Sequence, residues 1–147
     1  MLEPNSELES IFDRAVKLAA KHSHEYVTLE HFLYSMVIDA KFEQLLKDFG
    51  ADLKSLKLNL ENHIAENLND IAVVDLDARP RKTHSMERML NRAFTQVLFT
   101  GRSIIEPIDC FVSLFSEKKA MHYFSYVKQR LTKMHSLTSL IKVKLML

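Results

Sequence analysis

Residues 86–116 repeat residues 8–38 at a constant offset of 78, without a gap. Met86, Met89, Leu90, Ala93, Phe94 and Val97 fall on Leu8, Ile11, Phe12, Ala15, Val16 and Ala19, so one apolar stripe is written twice. Glu87, Arg92, Ala93 and Ser113 meet identical residues at Glu9, Arg14, Ala15 and Ser35. Self-similarity at a fixed period marks one supersecondary unit used more than once. Two copies of roughly 70 residues are too few for a solenoid, which stacks longer, capped arrays. The expectation is a single pseudo-two-fold domain over 1–147, with repeat 1 at about 6–68, a linker at about 69–84 and repeat 2 at about 85–147.

The spacing within each copy predicts helices. Apolar residues recur every three or four positions, and only two glycines and three prolines interrupt 147 residues. The fold class expected is all-α, with about eight helices as a duplicated four-helix repeat. The first helix starts near Ser6 and buries Leu8, Ile11, Phe12, Ala15 and Ala19. The tract His22–Val27 turns the chain, and Thr28 caps a helix over Leu29–Ile38. Asp39 caps a third helix through Phe49, closed by Gly50, and Asp52 opens a fourth carrying Leu53, Leu56, Leu60 and Ile64. In the second copy Ser85 is the expected cap of a helix to about Thr100, ended by Gly101. Pro107 suits a first helical position. Further helices are expected from Ser116, and over about 136–145. The segment Asn69–Lys82, without a helical stripe and with Arg79-Pro80, reads as an exposed linker.

Composition narrows the functional classes. One cysteine, Cys110, excludes an internal disulfide and suits a reducing, cytoplasmic setting. Neither a membrane-length apolar run nor a signal-peptide pattern is present in the sequence, so no membrane partner is expected. Charge is divided: residues 1–78 carry 15 acidic and 7 basic side chains, residues 79–147 carry 4 and 13. Such polarity fits a steered protein partner or a nucleic-acid footprint.

The tract His24-Glu-Tyr-Val-Thr-Leu-Glu-His-Phe-Leu33 resembles the H-E-F/Y-x-T-x-E-H-L-L stretch of Clp unfoldase N-terminal domains. The likeness to the ClpA branch continues through Leu45-Leu46, Asp52-Leu53, Thr83-x-Ser85, Leu90-x-Arg92-Ala93, Gly101-Arg102 and Leu114-Phe115-Ser116-Glu117, over about 5–135. The resemblance implies an eight-helix module that docks adaptors or substrates for an ATP-driven unfoldase. In the ClpA branch the adaptor is ClpS, which delivers substrates to the ClpP protease. Carried over by position, the adaptor surface falls on Glu25 and Glu30, with Thr83 and Arg88 beside them. Paired carboxylates at a helix start can accept hydrogen bonds from a partner's Lys, Arg or amides. ClpC-type domains carry T-E-H in both repeats and read phosphorylated arginine there. Here the second copy reads Glu106-Pro-Ile-Asp109, which argues against a symmetric pair of such sites.

Other constellations point away from catalysis. The 147 residues contain no G-x-x-x-x-G-K-S/T tract to cradle nucleotide phosphates. His22, His24 and His31 lack the H-E-x-x-H spacing of a hydrolytic zinc site, so neither metal nor cofactor is expected, and His31 is expected to hydrogen-bond within its own loop. Cys110, amid apolar residues, reads as a buried inert thiol. The expected function is a non-enzymatic interaction module for a ClpS-like adaptor, Clp substrates or a Clp unfoldase, acting as a free-standing competitor or regulator. The alternative is a small helical nucleic-acid binder using the basic half, where Tyr123, Phe124 and Tyr126 interleave with Lys128, Arg130 and Lys133.

Overall fold

A computed structural model describes residues 2–48, 53–74 and 79–114 of the protein. Asn5 opens α1 (Ser6–Lys21) by accepting the Leu8 amide on its side-chain oxygen at 2.8 Å. Leu8, Ile11, Ala15 and Ala19 follow at helical spacing and are fully buried. The helix closes with Ser23 at φ 56°. There the His24 amide donates to Ala19 carbonyl oxygen and the Ser23 amide to that of Ala20, which satisfies the last free carbonyls. Thr28 caps α2 (Leu29–Ile38), and Asp39, accepting the Phe42 amide at 3.2 Å, caps α3 (Ala40–Asp48) as expected. Helix α4 (Leu53–Asn67) buries Leu53, Leu56, Leu60 and Ile64, the stripe read from the sequence. The expected roles of Gly50 and Asp52 lie outside the described residues.

In the second half, Thr83 rather than Ser85 caps α5 (His84–Phe99), accepting the Met86 amide at 3.1 Å. The Ser85 hydroxyl instead accepts from Arg88 at 2.9 Å. Gly101, at φ 75°, ends the helix in the left-handed conformation that glycine adopts without a Cβ penalty. Arg102 and Gly101 then donate their amides to Val97 and Leu98, and α6 (Pro107–Leu114) begins on the expected proline. The helices expected beyond Ser116 lie outside the described residues.

Helix α2 is the hub. Eight of its residues are buried, and it packs on α1, α3, α4 and α6. Phe12 meets Phe32 at 5.0 Å between α1 and α2, and Phe42 meets Phe111 edge-on at 5.2 Å between α3 and α6. These pairs run the core through both halves of the chain.

The all-α expectation needs one amendment. Among the described residues, four two-residue strands form two parallel pairs: β1 (Glu3–Pro4) with β4 (Ile104–Ile105), and β2 (Tyr26–Val27) with β3 (Arg81–Lys82). Each strand entering a long helix in one half pairs with the loop strand of the other half. The segment read as an exposed linker is correspondingly tied down. It makes a 3₁₀ turn at Asn69–Ile71, Ile71 carbonyl oxygen accepts the Glu25 amide at 2.7 Å, and Ser23 carbonyl oxygen accepts the Val73 amide at 2.8 Å. Among the described residues, no helix is long and apolar enough to cross a membrane.

Candidate functional site

The β2–β3 pair brings two of the four expected binding residues, Glu25 and Thr83, together. Glu25 carbonyl oxygen accepts the Arg81 amide at 3.1 Å, and Val27 carbonyl oxygen accepts the Thr83 amide at 3.3 Å. The backbone thereby fastens Glu25 beside Thr83, although 58 positions separate them. The Glu25 carboxylate, half-exposed, lies 3.6 Å from the Arg81 guanidinium. Thr83 accepts a helix amide on its hydroxyl oxygen and keeps its own O–H to donate. Arg88 is exposed one turn into α5, on the same stripe as His84 and Glu87.

Glu30 stands apart from this group. It lies in the first turn of α2 and is 3% exposed at its side chain, with His63 Nε2 of α4 at 3.2 Å from its carboxylate. The two carboxylates expected to act together are thus separated: Glu25 faces solvent, whereas Glu30 is turned into the α2–α4 contact. The reason is periodicity. Glu30 occupies the flank of α2 that meets α4, and proximity to the positive helix end and to His63 compensates its burial.

Under this face lies a histidine pair. Thr28 donates its amide to His31 Nδ1 at 2.9 Å. An amide can only donate, so Nδ1 is the unprotonated nitrogen and Nε2 carries the hydrogen that His24 Nδ1 accepts at 2.9 Å. The expectation that His31 bonds within its loop is met. Burial, then the neighbouring His24 and His22, push the His31 pKa down to about 3; burial and His22 lower His24 as well. Both rings are neutral at physiological pH.

At the positions 78 residues on stands a full ion pair. Arg102 grips Asp109 with bonds of 2.7 and 3.2 Å, and Asp109 accepts the Glu106 amide at 2.9 Å as His31 accepts that of Thr28. A third cluster joins Glu7, Arg14 and Asp39. Burial and the adjoining Asp39 raise the Glu7 pKa to about 7. Burial alone would raise Asp39, but hydrogen bonds from Glu7, Arg14 and the Phe42 amide outweigh it and hold it low. Burial pushes the Cys110 thiol up, away from thiolate chemistry. Among the described residues, no group of three or more metal-ligating side chains converges.

A helical scaffold presenting a polar, strand-pinned face is suited to docking protein segments. Residues 3–129 match the family described as Clp repeat (R) N-terminal domain, and the chain belongs to that family, whose N-domains are protein-interaction modules. It is 26% identical over 129 residues to a ClpA homolog protein of Fuscovulum blasticum, a match that covers 88% of this chain and 16% of that protein. Its fold is similar to the Hsp104 N-terminal domain of Candida albicans, with TM-score 0.73, 14% identity, and coverage of 97% of this chain and 88% of that one. It is also similar to a ClpV N-domain solved in complex with a VipB peptide, with TM-score 0.60, 13% identity, and coverage of 91% and 86%.

Proposed function

We propose that this Clp N-domain docks a ClpS-like adaptor, or a substrate of ATP-dependent Clp proteolysis, on the face of Glu25, Thr83 and Arg88. The observation that carries the reading is the β2–β3 pairing, which makes one surface of residues far apart in sequence. Glu25 accepts hydrogen bonds from a partner's cation or amides, Thr83 donates its hydroxyl, and Arg88 takes a partner carboxylate. Glu30 acts from behind, holding α2 against α4 through His63. The ClpV N-domain bound to a VipB peptide supports the kind of partner, a protein segment.

Calorimetric titration with a purified ClpS-type adaptor tests this directly. Binding should be lost in Glu25→Lys and weakened in Arg88→Glu. If Glu25→Lys binds like the wild type, the face is wrong. In excess in a ClpA–ClpP assay, the 147-residue protein should slow adaptor-dependent degradation and spare adaptor-independent substrates. Equal slowing of both, or of neither, would reject competition for the adaptor. The setting proposed is the cytoplasm.

We further read the module as a four-helix unit used twice about a pseudo-two-fold axis. Four correspondences at the offset of 78 support this. Helices α1 and α5 are each 16 residues, Asn5 and Thr83 cap them, Ser23 and Gly101 take the positive φ, and the strand pairs are exchanged between halves.

A further inference from the structure

Beside the docking face, a groove of about 730 Å³ runs between α1, β2, β3 and the start of α5. The volume falls in the range that encloses a small ligand or a few residues of peptide. Val16, Tyr26 and the buried Pro80 give it an apolar wall, Arg79, Arg81 and Lys82 a cationic rim, and His84 and Glu87 complete the lining.

The cations are held loosely. Arg79 is 4.0 Å from Asp13, and Arg81 is 3.6 Å from Glu25, with both arginine side chains about 70% exposed. Elsewhere in the molecule the arginine pairs that serve the fold close to 2.7 Å, at Arg14–Asp39 and Arg102–Asp109. Charge-assisted bonds are strong only at such short distances, so the rim arginines give up little on changing partner. Lys82 makes no ion pair among the described residues. Arg81 is also pre-set, its guanidinium standing 5.7 Å over the Tyr26 ring, which orients the flat fork for a carboxylate.

We propose that this groove binds a short acidic peptide segment, its carboxylates on Arg79, Arg81 and Lys82 and an apolar side chain against Val16, Tyr26 and Pro80. The inference deepens the docking reading and rests on it, since Glu25 and Thr83 flank the same strands. A peptide suits the groove better than a nucleic acid. Asp13, Glu25 and Glu87 stand around it, and a backbone charged at every unit would meet them, whereas a peptide can space its carboxylates between apolar residues.

The test is fluorescence anisotropy of the full 147-residue protein with a fluorescein-labelled peptide alternating Glu and Leu. Controls are the peptide with Gln for every Glu, and a labelled oligothymidylate. Binding should need the carboxylates, weaken with salt, and fall about tenfold or more in Arg81→Glu and in Lys82→Glu. Both positions are solvent-exposed, and far-UV circular dichroism verifies the fold. Absence of peptide binding, equal binding of the Gln peptide, or indifference to both charge reversals would overturn the proposal. So would tight oligothymidylate binding without peptide binding, which would assign the rim to nucleic acid. The adaptor titration is read separately. Adaptor binding without peptide binding rejects the groove alone, and peptide binding without adaptor binding rejects the adaptor while sustaining the groove.

Discussion

Acid should unfold this protein through the His24–His31 pair. His31 is inaccessible to solvent and accepts a hydrogen bond on Nδ1, so a second proton has no place in the native slot. Its pKa falls from an ordinary 6.5 to about 3. Between those values the unfolded chain binds a proton that the native state refuses, so stability drops as pH falls through the window from 6.5 to 3. From one group the loss at pH 5 is about 2 kcal/mol, rising to about 4 kcal/mol near pH 3. His24 adds in the same direction. Glu7 works in opposition: its carboxyl titrates near 7 in the native state, so it favours folding at low pH and loses that contribution as pH rises from 4.5 to 7. Thermal melts should therefore be followed in a Glu7→Gln background, where Tm is expected to fall by about 6–10 °C from pH 7.5 to 5. The cure is copied from the other half. His24→Arg with His31→Asp reproduces the Arg102–Asp109 arrangement, and should flatten the Tm profile between pH 7.5 and 5. Imidazole NMR on the wild type gives an independent reading, with His31 remaining neutral at pH 5. Two results would refute the reasoning: a His31 that titrates near 6.5 in the folded protein, or an undiminished acid slope in a folded double variant.

Three further predictions concern stability. Thr83→Ala should cost about 1 kcal/mol in urea unfolding through loss of the α5 cap, while Ser85→Ala stays within about 0.5 kcal/mol; the reverse order would restore Ser85 as the cap. Ser23→Gly should stabilise by about 1 kcal/mol because Ser23 holds a left-handed φ, and Gly101→Ala should destabilise by a similar amount from φ alone, since open space surrounds its Cβ position. Arg102→Met leaves Asp109 buried without its cation and should cost about 3 kcal/mol; a change below 0.5 kcal/mol would show that the slot tolerates an unpaired carboxylate.

The parts of the fold that are legible in sequence are those written in side chains. The stripe of α4, the caps Thr28 and Asp39, and the proline opening α6 each leave a mark at fixed spacing. The four strands leave none. A two-residue strand is too short for alternation, and its bonds run between main-chain atoms whatever the side chains are, so Asn69–Lys82 reads as an exposed linker although its described residues are laced to Ser23, Glu25 and Val27. The Thr83 cap is hidden for a related reason. Thr83 and Ser85 are both good caps, and only the strand ending at Lys82 fixes where the helix begins. Glu30 is harder still. Nothing in its tract separates it from Glu25, and its burial is decided by His63, 33 residues away on α4. The constant offset itself held a usable signal: it pairs Thr83 with Asn5, just before the expected start of α1.

On the duplicated reading, the same offset explains why docking belongs to one face only. Two-fold symmetry would offer a second copy of the Glu25–Thr83–Arg88 surface, but its positions are held by Ser103, Asn5 and Ser10. The groove is likewise rewritten. Arg81 becomes Glu3, Lys82 becomes Pro4, and Tyr26 becomes Ile104, which is 54% exposed, while Glu87 keeps its charge as Glu9. One side of the scaffold sets Arg79, Arg81 and Lys82 among Asp13, Glu25 and Glu87; the other is acidic and apolar. The buried slots diverge in parallel, with neutral histidines beneath the first face and a tight ion pair beneath the second. A duplicated backbone needs both slots filled, because each ties the first turn of a helix to the end of another. It does not need them filled by the same chemistry. The slot built from Arg102 and Asp109 holds no imidazole that acid would have to charge. The slot beneath Glu25 rests on neutral imidazoles, so it is the one that acid is expected to weaken.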